Sequence, residues 1–189
     1  MRPNRELDHK HDGVHVIDWP EFAELCKKLA REVVKRGGTD CVVGIGKGGA
    51  IVGAVVSAML RCDYYPIRLS RRHAGSRVKM TTRVPVPPSK DVKGRSVLLC
   101  DDLSVTGETF KIALIELAQV GAAAVTTAAL ARHKHSYEPD LSAIISDAAF
   151  VFPWDRDVLV EGEFRLHPEI ARGLAAQGLQ VPGATRRSK

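Results

Sequence analysis

Residues 96–117 read SVLLCDDLSVTGETFKIALIEL. Val97 to Cys100 form a short apolar run, the pattern of a buried strand that stops where the polar residues begin. From Phe110 onward, Ala113, Leu114 and Leu117 recur at helical spacing, and Gly121 stops the helix. Between strand and helix stand two adjacent carboxylates, Asp101 and Asp102. A turn carrying Ser104, Val105, Thr106, Gly107, Glu108 and Thr109 follows, with Thr109 expected at the helix N-cap. Carboxylates repel phosphate, whereas a turn rich in glycine and hydroxyls at a helix start attracts it through backbone N–H groups and the helix dipole. A ligand that satisfies both has vicinal hydroxyls at one end and a phosphate at the other. A ribose 5-phosphate has that form. Asp101 and Asp102 would accept from its 2′- and 3′-hydroxyls, and the 104–109 turn would surround the phosphate. An Asp turn with an ordinary Thr cap explains any one of these residues, but not the block of 101–109 taken together.

Upstream, Asp18 followed by Glu21 resembles a capping box, with Pro20 in the first helical turn. Phe22, Leu25, Cys26, Leu29 and Val33 then mark a helix that Gly37–Gly38 ends. Cys41–Ile45 reads as a buried strand, residues 50–61 as a buried helix and residues 64–70 as a second strand. From Arg71 to Arg95 the pattern dissolves into a polar, basic stretch containing VPVPP. A connection this long suits a mobile, functional loop. Strands at 124–131 and 142–146 follow the helix of the opening segment. Strands alternating with helices predict an α/β domain with a mostly parallel central sheet flanked by helices. Ligands of such sheets bind beyond the C-terminal strand ends, where loops 44–49 and 101–109 both fall.

The first of these loops, GIGKGG, satisfies GxGxxG at Gly44, Gly46 and Gly49, with Asp63 downstream as a dinucleotide-binding acid. Asp63, however, precedes the apolar part of its strand, whereas a ribose-binding acid belongs at the strand's C-terminal end. Lys47 inside the fingerprint suits direct contact with phosphate.

The 189 residues suffice for one domain, and 44% hydrophobic with 26% charged content is ordinary for a globular chain. A net charge of +6 favours an anionic partner. Cys26, Cys41, Cys62 and Cys100 lie in apolar stretches without a CxxC pair, which reads as reduced buried thiols in a cytoplasmic protein. No signal-peptide pattern and no bilayer-length apolar run is seen, so no membrane partner is expected. Aromatic residues are only 5%, no recognisable RNA or DNA reader is present, and nucleic acid is not the expected partner. Residues 1–17 and 174–189 read as flexible tails around a domain at 18–173, with His9 and His11 as solvated tail residues.

VLLCDDLSVTGETF resembles the phosphoribosyl pyrophosphate (PRPP) motif of type I phosphoribosyltransferases, and VVGIGKGGAIVGAVV resembles their pyrophosphate-binding loop. FPWD at 152–155 is similar to the ending of the 6-oxopurine (hypoxanthine, guanine, xanthine) branch. The resemblance runs from about Asp18 to Asp157. It implies that fold with a mobile basic loop, a small C-terminal hood and a homodimer or larger homo-oligomer. It implies transfer of a phosphoribosyl group from PRPP to a nucleobase-like acceptor, a purine or purine analogue, giving a 5′-monophosphate and pyrophosphate. Mg²⁺ would be carried mainly by PRPP, without a dedicated protein metal site. Asp101 and Asp102 would hold the ribose hydroxyls, residues 104–109 the 5-phosphate, and Lys47 with Gly48 the pyrophosphate. Arg71, Arg72, Arg77, Lys79 and Arg83 would serve the closing loop.

The acceptor side departs from the branch. Val105 stands where an acid usually meets N7 of the base. Arg132, with Lys134 as the alternative, stands where a lysine reaches the 6-oxo group. Ala149, with Phe150 beside it, stands where an aromatic stacks on the base, and Trp154 is open to a core role. His133 and His135 are candidates for proton transfer or plain turn residues. A non-catalytic PRPP or nucleotide sensor on the same fold is the alternative reading.

Overall fold

The computed structural model describes residues 10–71 and 82–182. The chain divides into two compact units. One runs from Leu25 to Ile145, and the other is built from the two ends, up to Glu24 and from Ser146.

The 25–145 unit holds a six-stranded sheet. Its strands are β2 (Cys41–Ile45), β3 (Asp63–Arg71), β4 (Thr82–Val86), β5 (Ser96–Ser104), β6 (Ala124–Arg132) and β7 (Leu141–Ile145), in the order β4-β3-β2-β5-β6-β7. All neighbours pair parallel except β3 and β4, which are antiparallel. β2 is central because every residue of CVVGI is buried, as a strand covered on both faces must be. Helix α2 (Gly48–Leu60) crosses from β2 to β3, and α3 (Glu108–Val120) crosses from β5 to β6. Val43, Ile45, Val97 and Leu99 join Phe110, Ala113 and Leu117 of α3 in one core. On the opposite face α2 presses so close that a Cβ on Gly53 would lie 3.2 Å from Gly44 Cα and 3.3 Å from Val42 Cγ1. Helices thus cover both faces.

Part of the expected basic loop is strand. β3 runs to Arg71, and β4 pairs with it through Arg68↔Val86 and Arg71↔Thr82. Pro85 lies inside β4 without harm because β4 is an edge strand. Arg72, Arg77 and Lys79 lie outside the described residues. A short 3₁₀ turn, Lys90–Val92, then leads into β5.

In the terminal unit, β1 (Val14–Val16) pairs parallel with β8 (Ala149–Val151). Residues 14–17 are therefore not a loose tail: Ile17 is fully buried and donates its N–H to the Val151 carbonyl at 3.0 Å. His11 is buried too, its N–H bonded to Gln177 Oε1 at 3.0 Å. A four-residue helix, α4 (Pro153–Arg156), precedes the antiparallel hairpin β9 (Asp157–Val160) and β10 (Glu163–Leu166). Helix α5 (Pro168–Ala176) closes the unit, and Leu174 and Val181 are buried with Ala149 and Val151. The second expected tail thus contributes core as far as Val181.

Helix α1 (Trp19–Lys35) leads from the terminal unit into the sheet unit. Asp18 caps it, its Oδ1 accepting from the Glu21 N–H at 2.8 Å. Glu21 Oε1 itself lies 2.8 Å from His15 Nε2. Burial pushes the Cys26 thiol up to about 12 and raises that of Cys100 as well, so both stay protonated. Cys62 departs from the expectation in being only half-buried. Among the described residues no helix is long and apolar enough to cross a membrane.

Candidate active site

From β2 the chain winds outward to β3, while β5 on its other side winds outward to β6. The loops leaving the C-terminal ends of β2 and β5 therefore diverge and open a crevice at a topological switch point. Both motifs from the sequence lie there. Asp63, the acid of the dinucleotide alternative, is the first residue of β3, at the opposite edge, and pairs with Arg95 at 2.8 Å. That removes it from the ribose position which the alternative requires.

The loop after β2 is shaped by close approach. A Cβ on Gly44 would fall 2.5 Å from the Gly49 carbonyl oxygen and 2.8 Å from Ala50 Cα. Gly46 turns the chain at φ +60°, a left-handed conformation natural to glycine. Lys47 occupies the N-cap of α2 with its side chain exposed. Gly48 then meets the other motif, since a Cβ there would overlap the Asp102 carboxylate. A Cβ on Gly49 would lie 2.8 Å from Asp101 Cα. The pyrophosphate-loop motif and the acidic pair are thus packed glycine against carboxylate.

This contact makes a prediction. Gly48→Ala is expected to destabilise the fold by ~1–3 kcal/mol through overpacking. In thermal unfolding, the same change made in an Asp102→Ala background should cost much less. Equal penalties in both backgrounds would show that the two residues are not in contact.

β5 extends to Ser104, past the expected stop at Cys100. Pairing with β6 continues through Asp101↔Ala129, Leu103↔Ala131 and Ser104↔Arg132. The two acids are half-buried strand residues held by local bonds: Asp101 Oδ1 accepts from the Asp102 N–H at 3.0 Å, and Asp102 Oδ1 from the Leu103 N–H at 2.8 Å.

The N-cap of α3 is Gly107, at φ +73°, and not Thr109, which is half-buried in the first helical turn. Thr106 Oγ1 accepts from the Glu108 N–H at 3.4 Å, and Glu108 pairs with Lys111 at 3.0 Å. Ser104 is buried, and its hydroxyl donates to the Tyr137 carbonyl at 2.7 Å. That hydroxyl therefore braces the loop instead of facing a ligand. Tyr137 returns a bond from its N–H to the Val105 carbonyl at 2.9 Å, and a Cβ on Gly107 would overlap its ring.

The four residues expected at the base fall in both units. Val105 is half-buried in the sheet unit. Arg132, 9% exposed, directs its guanidinium to Glu138 at 2.5 Å and to the carbonyls of His133 and Lys134 at 3.3 and 3.4 Å. It ties together the 132–138 turn. Ala149 and Phe150 are core residues of the terminal unit, with Phe150 5.7 Å from His15 and 6.2 Å from Phe152, ring centre to ring centre. Trp154, half-buried, lies parallel to Phe152 at 5.0 Å and edge-on to Phe22 at 5.2 Å, so it packs in an aromatic cluster.

Residues 15–160 match the family described as phosphoribosyl transferase domain. The chain belongs to that family. Among curated relatives, the adenine phosphoribosyltransferase of Xanthomonas euvesicatoria pv. vesicatoria (strain 85-10) is 27% identical over 136 residues, 66% of this chain and 73% of that protein. The orotate phosphoribosyltransferase of Saccharolobus solfataricus is 28% identical over 104 residues, 55% of this chain and 49% of that protein. The crystal structure of the purine phosphoribosyltransferase from Pyrococcus horikoshii shares the fold, with a TM-score of 0.70 at 23% identity over 78% of this chain and 98% of that one. The likeness spreads across the branches of the phosphoribosyltransferase family and does not single out the 6-oxopurine branch suggested by FPWD.

Within this phosphoribosyltransferase the residue that sequence reasoning missed is Tyr137. Its only signal is an aromatic residue in the short turn SYEPD after β6, and nothing local says that this turn reaches back to residues 104–107.

Proposed function

We propose that the chain transfers a phosphoribosyl group from PRPP to a ring nitrogen of a nucleobase-like acceptor, a purine or purine analogue. The bond from the anomeric carbon to pyrophosphate breaks, the bond to the acceptor nitrogen forms, and the acceptor loses a proton. The observation that supports the reading is the packing of Gly48 against Asp102, which sets the GIGKGG loop against the acid pair at the end of β5.

Asp101 and Asp102 accept the ribose hydroxyls and fix the anomeric carbon in the crevice. The backbone of residues 104–109 and the start of α3 take the 5-phosphate, with Thr106 and Thr109 as hydroxyl donors. Lys47, exposed at the start of α2, meets the pyrophosphate and stabilises its growing charge. Mg²⁺ would arrive mainly on PRPP, since this ion keeps several waters and substrate phosphates and needs no protein cage. When bound, that ion would neutralise the leaving group. Catalysis here is mainly positioning and electrostatics, because displacement at an anomeric carbon with oxocarbenium character asks little covalent chemistry of the protein.

The test is release of pyrophosphate from PRPP and Mg²⁺ against adenine, guanine, hypoxanthine, xanthine, orotate and 7-deaza purines. Release with at least one purine-type base is expected. PRPP binding with no release for any base would favour a sensor. Lys47→Ala should weaken PRPP and pyrophosphate about tenfold or more, since a charge-assisted hydrogen bond contributes ~1.5–3 kcal/mol. It should weaken the product monophosphate far less, because the product lacks the group that Lys47 meets. Equal losses by calorimetry for all three ligands would make Lys47 structural.

A further inference from the structure

The turn between β6 and β7 grips the 104–109 loop, which the proposed function gives to the 5-phosphate. The Tyr137 ring fills the space that a Cβ on Gly107 would need. The same ring stacks on Phe110, in the first turn of α3, with centroids 5.7 Å apart and planes 25° apart. Its N–H donates to the Val105 carbonyl at 2.9 Å, and its carbonyl accepts the Ser104 hydroxyl at 2.7 Å. One residue therefore fixes the entry of the loop, at 104–105, and its exit, at 107–110. We propose that Tyr137 is a positioning residue that pre-sets the 104–109 loop for the 5-phosphate and so controls affinity for that end of PRPP without touching it. The inference rests on the reading of this loop as the 5-phosphate site.

The physical reason lies at Gly107. Glycine at φ +73° has no Cβ to restrict it, and its neighbours would otherwise sample many conformations. A ring laid against Gly107 and hydrogen bonds at Ser104 and Val105 remove those alternatives in advance. Binding then does not have to order the loop. The ring and the main chain carry this argument, and the phenol oxygen has no part in it. Tyr137→Phe is therefore the conservative variant and Tyr137→Ala the disruptive one.

Calorimetry on the full chain, well below its melting temperature and with Mg²⁺, should compare ribose 5-phosphate with inorganic pyrophosphate. Tyr137→Ala is expected to weaken ribose 5-phosphate by about tenfold or more, equivalent to ~1.4 kcal/mol, and to leave pyrophosphate within about twofold. Tyr137→Phe should restore both. Tyr137→Leu, which keeps apolar bulk but not the flat ring laid against Gly107 and Phe110, should show the same selective loss, and it decides the matter should Tyr137→Ala not fold. Unchanged affinity for ribose 5-phosphate, equal loss of both ligands, or failure of the Phe variant to restore binding would each overturn the proposal. An unaltered chain that binds pyrophosphate but not ribose 5-phosphate would instead overturn the reading of the loop itself, and the proposal with it.

Discussion

Replacing Asp101 and Asp102 together by asparagine is expected to lower kcat/KM for PRPP by about 10²–10⁴-fold while the fold survives. On the proposed function each acid would supply one charge-assisted hydrogen bond to a ribose hydroxyl, and such bonds contribute ~1.5–3 kcal/mol. Two of them give ~3–6 kcal/mol, and each ~1.4 kcal/mol is a factor of ten. The structure says why folding should be spared. Asparagine keeps the Oδ1 that accepts from the Asp102 and Leu103 N–H groups. It also keeps the planar shape that lies against Gly48. Alanine would be a poorer choice, because it strips both local acceptors and the contact at once. Thermal unfolding and steady-state kinetics on the same preparation make the check. Activity like that of the unaltered chain in the double variant would sink the ribose assignment, and a collapsed melting temperature would show that the acids are structural first.

The parts of this fold that were legible in sequence are those whose signal is local. Five consecutive apolar or small residues, Cys41–Ile45, announce a strand buried on both faces, and the structure buries all five. Asp18 and Glu21 announce a helix start, and the Asp18 bond is present. What was not legible depends on partners far along the chain. β5 runs through its acids because β6 continues to pair with it, which no property of DDLS reveals. Val14–Val16 looks like tail until β8, about 135 residues later, supplies its hydrogen bonds. The helix cap follows the same logic. Thr109 is the better N-cap by residue type, but the turn takes its shape from Gly107, whose missing Cβ admits Tyr137. The surroundings of Arg132 were not legible for a related reason. Arg132 reads as a base contact by its place at a strand end, but Glu138 and the carbonyls of its own turn surround its guanidinium.

Guanine and hypoxanthine are expected to be poor acceptors for this chain, and Val105→Asp is expected to improve them. In the 6-oxopurine branch suggested by FPWD alone, an acid near N7 shares a proton or hydrogen bond with the base and helps N9 attack. Valine does neither, and N7 buried against it would stay unpaired at a cost of ~1–3 kcal/mol. General acid–base help of this kind contributes about 10²–10⁴-fold. The backbone at this position is held: the Val105 carbonyl accepts from Tyr137, and Ser104 before it pairs with Arg132. An aspartate placed there should therefore keep the direction of the valine Cβ, and the half-buried setting leaves it partial access to water. Two comparisons decide the point, kcat/KM for guanine against 7-deazaguanine and the same ratio in Val105→Asp. The unaltered chain should favour the 7-deaza base, whose carbon at position 7 asks for no partner, and the variant should shift toward guanine. Efficient use of guanine by the unaltered chain, with no gain in the variant, would make Val105 a tolerated substitution in an ordinary purine enzyme.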